Sequence, residues 1–247
     1  MIRRLTAISA LAAAVLSAPS AHAQKQEFGD KGEFIISAER LVPFFSFSQT
    51  WMGNLGPLPA GETGLTNTST QTAFSFFWGQ TPPEETFFTV PRLGVDYAFA
   101  QNFTLGGDLV LFFTVGGSNA TQVTTPNAPT QTISRDTAST TVFGVAPRAG
   151  YVLRFSNLVS LWLRGGLSFY TSTSKLANNN TGENQFALDI LPEFVFTPIP
   201  HVGFTAGLSA DIPLIGQHWA PVGADANANA SSAALYIGAT LGMLAHF

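Results

Sequence analysis

The stretch FTLGGDLVLFFTV, residues 103–115, alternates with a period of two. One phase reads Phe103, Leu105, Gly107, Leu109, Leu111, Phe113, Val115; the other reads Thr104, Gly106, Asp108, Val110, Phe112, Thr114. Successive side chains of a strand point to opposite faces, so such a run is one strand with an apolar face and a polar one. The same split recurs at 87–99, 143–155, 159–171, 186–196, 202–212 and 235–247. A rougher run lies around 33–45, where Phe34, Ile36 and Ala38 share their phase with Arg40. The reading is eight strands.

The joins between runs alternate in length. AQN, SNLV and TPIPH are short, whereas 46–85, 116–136, 172–184 and 214–232 are long and polar. Short turns at one end and long loops at the other mark an even-stranded transmembrane β-barrel. Phenylalanines border the apolar phase: Phe99, Phe103, Phe155, Phe196, Phe204 and Phe247 at the short-turn end, Phe87, Phe113, Phe143, Phe169 and Phe186 at the other. Phe103 to Phe113 is about 34 Å of strand, or roughly 26 Å of height at ~40° of tilt, matching the ~25 Å apolar band between aromatic girdles.

Composition points the same way. Only 11% of the 247 residues are charged while 45% are hydrophobic, against about a quarter to a third charged on a soluble domain's surface. No apolar run is long enough for a transmembrane helix, and lipid leaves an open sheet edge unsatisfied, so strands that cross must close. The alternative is a soluble secreted barrel or sandwich with the apolar phase inside, because periodicity alone does not tell inside from outside.

MIRRLTAISALAAAVLSAPSAHA has Arg3 and Arg4, an apolar stretch from Leu5 to Leu16 and a small-x-small close at Ala21-His22-Ala23, the pattern of a secretory leader over 1–23. A short periplasmic segment, 24–32, then leads into a barrel over 33–247. Loss of Arg3 and Arg4 takes the formal net charge from −4 to −6, which argues against a nucleic-acid partner. No cysteine is present, so neither disulfides nor thiolate metal sites contribute.

These runs, joins and aromatic borders resemble the eight-stranded outer-membrane barrels, the OmpA/OmpX-like group, across 33–247. The last run, LYIGATLGMLAHF, spaces Leu235, Ile237, Ala239, Leu241, Met243 and ends on Phe247, which resembles the C-terminal signal read by the barrel-assembly machinery. Ala245 departs from that signal, which carries a bulkier side chain at its position. The resemblance implies a Gram-negative outer-membrane location, partners limited to lipid, lipopolysaccharide and the assembly machinery, and a monomer. It carries little functional specificity.

Charges within the runs fall on the inward phase: Glu39, Asp96, Asp108, Asp189, Glu193 and Asp211 against Arg92, Arg148, Arg154 and Arg164. Arg92, Arg148 and Asp189 each lie seven residues before a periplasmic phenylalanine, and Asp96 and Glu193 three before theirs, so acids and bases share heights. An eight-stranded barrel has room inside for its own side chains or one small ligand, and buried charges must be paired. The expectation is a charged network that fills the lumen of a non-enzymatic barrel with a structural or surface-interaction role. The alternative is a narrow porin-like channel or a small-ligand-binding barrel.

Catalysis is not indicated. His201, His218 and His246 have no Ser, Asp or Glu at strand spacing to make a triad, and no pair has metal-ligand spacing. No metal and no cofactor is expected. Pro91, Pro147 and Pro192 sit on the outward phase, each followed by an inward charge (Arg92, Arg148, Glu193), and should each mark a bulge or break in the ladder. The first long loop carries Trp51, Phe74, Phe76, Phe77 and Trp78, consistent with strands running beyond the membrane, a loop folded over the mouth, or an exposed recognition surface.

Overall fold

The computed structural model describes residues 27–53, 66–74, 90–123, 131–176, 179–221 and 227–247. The leader, Phe76, Phe77, Trp78 and Phe87 lie outside the described residues. The strands are β1 (Phe34–Gly53), β2 (Thr66–Phe74), β3 (Arg92–Ala100), β4 (Phe103–Thr114), β5 (Gly117–Val123), β6 (Gln131–Thr137), β7 (Ser139–Arg154), β8 (Val159–Leu176), β9 (Asn179–Ile199), β10 (Val202–Pro221) and β11 (Asn227–His246).

Eight of them form an antiparallel ring in the order β1-β3-β4-β7-β8-β9-β10-β11, closed by β11 pairing back onto β1. The seam continues past the last strand, where Phe34 and Phe247 exchange both backbone hydrogen bonds at 2.9 Å. The other three strands are outworks. β2 pairs with the upper part of β1, from Phe45↔Phe74 to Gly53↔Thr66, and β5–β6 is a separate hairpin.

The apolar phase lies outside, which excludes the soluble alternative. On β4, Leu105 and Leu111 are each 60% exposed while Thr104, Asp108 and Val110 are buried. The girdle residues Phe99, Phe103, Phe155, Phe196, Phe204, Phe247, Phe113, Phe143, Phe169 and Phe186 are all exposed. The polar phase therefore makes the core.

Several expected loops are strand. The stretches 172–184 and 214–232 are largely taken up by the ends of β8, β9, β10 and β11, and 46–53 continues β1. Above the membrane a paired backbone needs no apolar face, so Thr, Ser and Asn can carry the ladder onward. Beyond Phe186, β9 runs seven more residues, roughly 18 Å of height at ~3.4 Å per residue and ~40° of tilt.

The rough first run has a local cause. Between Ala38↔Met243 and Val42↔Leu241, the residues Glu39, Arg40 and Leu41 face Gly242 alone. Arg40 takes a left-handed backbone (φ 54°), and this three-against-one bulge turns both Glu39 and Arg40 inward. Gly242 is where the bulge crowds in: a methyl there would stand 2.7 Å from the Ala38 carbonyl oxygen.

Pro147 and Pro192 each break one ladder, as expected, but neither adds a bulge. Pro91 precedes β3, but Pro147 and Pro192 lie in strands of unbroken register, opposite Gly107 and Leu163. On the other side, Val145↔Phe169 and Arg148↔Gly166 keep one register, as do Ala210↔Ile190 and Gly207↔Glu193. A strand residue points its N–H and C=O at one neighbour, so proline weakens one ladder locally without adding a residue. Register shifts fall instead next to Pro43 and Pro213. Where the β10–β11 ladder also breaks, between Asp211 and Gln217, Gln185 of β9 takes over: its amide donates to the Ala234 carbonyl (2.9 Å) and accepts from the Ala234 N–H (2.8 Å).

Inward glycines make room for long lumen side chains. A methyl on Gly94 would collide with Ser37 and stand 2.6 Å from Arg148 Nη2 and 2.7 Å from Asp108 Oδ1. Gly94→Ala is expected to cost about 1–3 kcal/mol through overpacking. Gly165→Ala, on the outer face with its nearest contact at 3.5 Å, should be near neutral. Denaturant midpoints followed by heat-modifiable gel migration would show the difference.

Candidate functional site

The lumen is built in layers. At the short-turn end, Phe28, Ile35, Val152, Trp162, Val195 and Leu244 form a buried apolar floor. At the long-loop side, Val90, Val110, Val142 and Ala234 pack with Tyr170, Tyr236 and the half-buried Phe112 as a ceiling. All the charges of the central network lie between these two layers.

The lower tier centres on Arg148 and Arg164. Arg148 donates to both oxygens of Glu39 (3.0 and 2.8 Å) and of Asp96 (3.1 and 2.5 Å), and its Nη1 stands 2.6 Å from Asp108. Arg164 bridges Glu39 and Glu193. Ser37 donates to Glu39 at 2.6 Å. The indole of Trp162 lies below, with the Arg164 guanidinium 4.0 Å and that of Arg148 5.7 Å from its centroid.

The upper tier centres on Arg40 and Arg92. Arg92 reaches Asp211 at 3.0 Å and Asp189 at 3.4 Å, and Arg40 reaches the other oxygen of Asp211 at 2.8 Å. Tyr170 donates to Asp211 (2.9 Å) and Ser168 to Asp189 (2.8 Å). Arg92 lies 5.2 Å from the Tyr170 ring and Arg40 5.1 Å from that of Tyr236. Asp108 joins the tiers, 3.9 Å from Arg92 and 2.6 Å from Arg148. Desolvated guanidinium–aromatic contacts of this kind are worth about 2 kcal/mol.

Nine of the ten residues expected in the network meet there: Glu39, Arg92, Asp96, Asp108, Arg148, Arg164, Asp189, Glu193 and Asp211. Arg154 does not. It ends β7 six residues from Arg148, about 20 Å along the strand at ~3.4 Å each, and is too far away to join. It sits instead at the periplasmic mouth, donating to the Phe28 carbonyl (2.9 Å), Glu27 (3.2 Å) and Asp30 (2.7 Å).

Arg40 was missed because strict alternation puts it outside; an arginine on a lipid-facing phase was itself the sign of a bulge. Trp162, Tyr170 and Tyr236 were missed as partners, although Trp162 and Tyr170 share the polar phase with Arg164. Of the residues expected to form an assembly signal, Phe247 closes the seam, Met243 faces outward, and Leu241 pairs with Val42 and Ala206.

The histidines lie apart from this network. His201 Nδ1 meets the His246 carbonyl at 2.8 Å, while His218 stands opposite Glu183 on β9. His246 does have a carboxylate partner, contrary to the reading by strand spacing: its Nδ1 contacts Glu33, which arrives from the N-terminal turn. Its buried Nε2 meets no hydrogen-bond partner among the described residues. Among the described residues no group of three His, Asp or Glu is placed to hold a metal ion.

No family model matches the chain, and no curated protein matches it. Among solved structures it is similar to Neisserial surface protein A (13% identity, 88% of this chain and 100% of that chain, TM-score 0.41). It is also similar to the outer membrane protein OprG from Pseudomonas aeruginosa (13%, 87% and 96%, TM-score 0.43) and to the outer membrane protease OmpT from Escherichia coli (5%, 91% and 99%, TM-score 0.43). The closed ring with an apolar exterior is an eight-stranded outer-membrane β-barrel, the architecture of the Gram-negative outer membrane.

The layers separate in their response to mutation. Arg148→Ala takes a guanidinium from three buried carboxylates, leaving Glu39 to Arg164 and Asp108 to the more distant Arg92. It is expected to cost about 3–5 kcal/mol, whereas Arg154→Ala at the wet mouth should cost under ~1 kcal/mol. Unfolding midpoints of the refolded barrels would check both. Partial burial alone would raise the Asp30 carboxyl, but hydrogen bonds from Gln101 and Arg154 hold it below its ordinary value. Its contribution is therefore present above the unfolded value of about 3.9 and lost as pH falls through the lower folded value. Protection factors of the amides of 27–33, corrected for the intrinsic rate at each pH, should fall in acid below that point, ahead of those of the strands.

Proposed function

We propose that the protein is a non-enzymatic outer-membrane barrel, closed to ions, whose role is structural or surface-interactive. The observation that carries this reading is the filled lumen: four buried guanidiniums interlock six carboxylates between an aromatic floor and an aromatic ceiling. In a barrel of this size such side chains occupy the space an ion would need. The strands that continue above the apolar band hold a polar rim beyond the bilayer, suited to contacts at the cell surface.

The protein acts as a monomer whose partners are lipid and lipopolysaccharide along the outer band, with the assembly machinery engaged during biogenesis. Phe247, Met243 and Leu241 form the signal for that machinery, supported by their position at the strand that closes the ring. Removal of Phe247 should leave chains that accumulate unassembled, read as loss of the heat-modifiable form.

Planar-bilayer recording tests the closed lumen. The expected result is no stable opening; steady channels above ~0.1 nS, on the order of a small pore, would overturn it in favour of the narrow channel.

A further inference from the structure

The ring closes without residues 27–33. Those residues belong to no strand, and the seam between β1 and β11 runs to its end at Phe34 and Phe247 without them. Yet Phe28, at 4% exposure, is as buried as the barrel core. Its ring stands edge-on to Trp162 (5.3 Å between centroids, 79°) and to His246 (5.7 Å, 89°), inside the cluster with Ile35, Val152, Val195 and Leu244.

The turn is built to present that ring. Gly29 and Gly32 have left-handed backbones (φ 89° and 95°), so the chain reverses on either side of the mouth. A side chain on Gly29 would meet Val152 at 3.0 Å, so the backbone lies directly against the wall. The Gly29 N–H donates to Glu33 at 2.5 Å, and its carbonyl accepts from Asn102 N–H at 2.8 Å. Its outer fastenings are wet: Glu27 and Asp30, 37% and 31% exposed, hold Arg154, and Gln101 holds Asp30 at 3.0 Å.

We propose that residues 27–33 are a displaceable stopper and that the periplasmic mouth is a socket for one apolar aromatic ring, occupied at rest by the chain's own Phe28. Geometry separates ring from fastening. The socket is apolar and edge-on aromatic, which selects a single ring by shape and quadrupole. The outer side of the strap is held by exposed ion pairs, which are weak. Gly32 and Glu33 stay tied to Ala98 by backbone hydrogen bonds (2.7 and 2.8 Å), and Glu33 to the buried His246, which makes them the hinge about which the strap swings. Such a segment opens locally without unfolding the barrel. A displaced turn leaves a pocket that ends at the layer of Arg148 and Arg164, so the socket is a site facing the periplasm and not a pore. The stopper is thus independent of conductance, which reports the charged layer alone.

Trp162, at the bottom of the socket, is the probe. In a background with Trp51, Trp78 and Trp219 changed to Phe, acrylamide quenching of Trp162 reads access to the mouth. Phe28→Ala is expected to raise the quenching constant about threefold or more while heat-modifiable migration persists. Toluene should then restore protection saturably, because a dry apolar cavity accepts a ring of that size. Arg154→Gln releases the strap but leaves the ring in place, and should raise quenching by a smaller factor. If Phe28→Ala fails to fold, the Arg154→Gln barrel decides the stopper. Unchanged protection of Trp162 in the variants that fold overturns the stopper, and quenching that toluene does not reverse overturns the socket.

Discussion

A guanidinium inside a narrow barrel has no water to fall back on, and that constraint organises the molecule. Moving such a charge out of water costs several kcal/mol even after relaxation, so each arginine must find carboxylates within hydrogen-bond reach. Arg148 contacts three, on β1, β3 and β4, and Arg92 contacts Asp211 on β10 and Asp189 on β9. The network therefore ties together strands from opposite sides of the ring. Backbone ladders join neighbours only; the arginines brace the wall across its diameter.

The aromatic layers follow from the same constraint. A guanidinium satisfied in its plane still exposes two faces. Trp162 covers those of Arg164 and Arg148 from below, while Tyr170 and Tyr236 cover Arg92 and Arg40 from above. Space for this stacking comes from the wall: inward glycines such as Gly94, and Gly144 against Tyr170, lack the Cβ that would collide with these groups. The floor is finished by Phe28, which the barrel borrows from outside its own strands.

Alternation gave access to the faces because it is a local property: neighbouring residues of one strand must point opposite ways. That was enough to place Asp96, Asp108, Arg148 and Asp189 inside and the phenylalanine girdles outside. It failed where the backbone departs from regular pleating. Arg40 breaks the alternation because three residues of β1 face one of β11, and its inward turn adds the fourth guanidinium. Pro147 and Pro192 interrupt one ladder each, as a missing donor requires, and register resumes beyond them without a bulge. Polar stretches such as 179–184 read as loop because only lipid demands apolar residues, and strand above the membrane does not.

The amino-acid sequence by itself determined the number of barrel strands, the phase that meets lipid, the height of the band and most of the charges that face inward. Each of these depends on the order of residues along a single strand. Only the tertiary structure decided which carboxylate meets which arginine, because partners such as Arg148 and Glu39 are brought together by ring closure and register, not by spacing along the chain. The same holds for the mouth: nothing local to 27–33 says that Phe28 turns back into the barrel. Its place is set by a socket of residues from β1, β7, β8, β9 and β11 that exists only once the ring has closed.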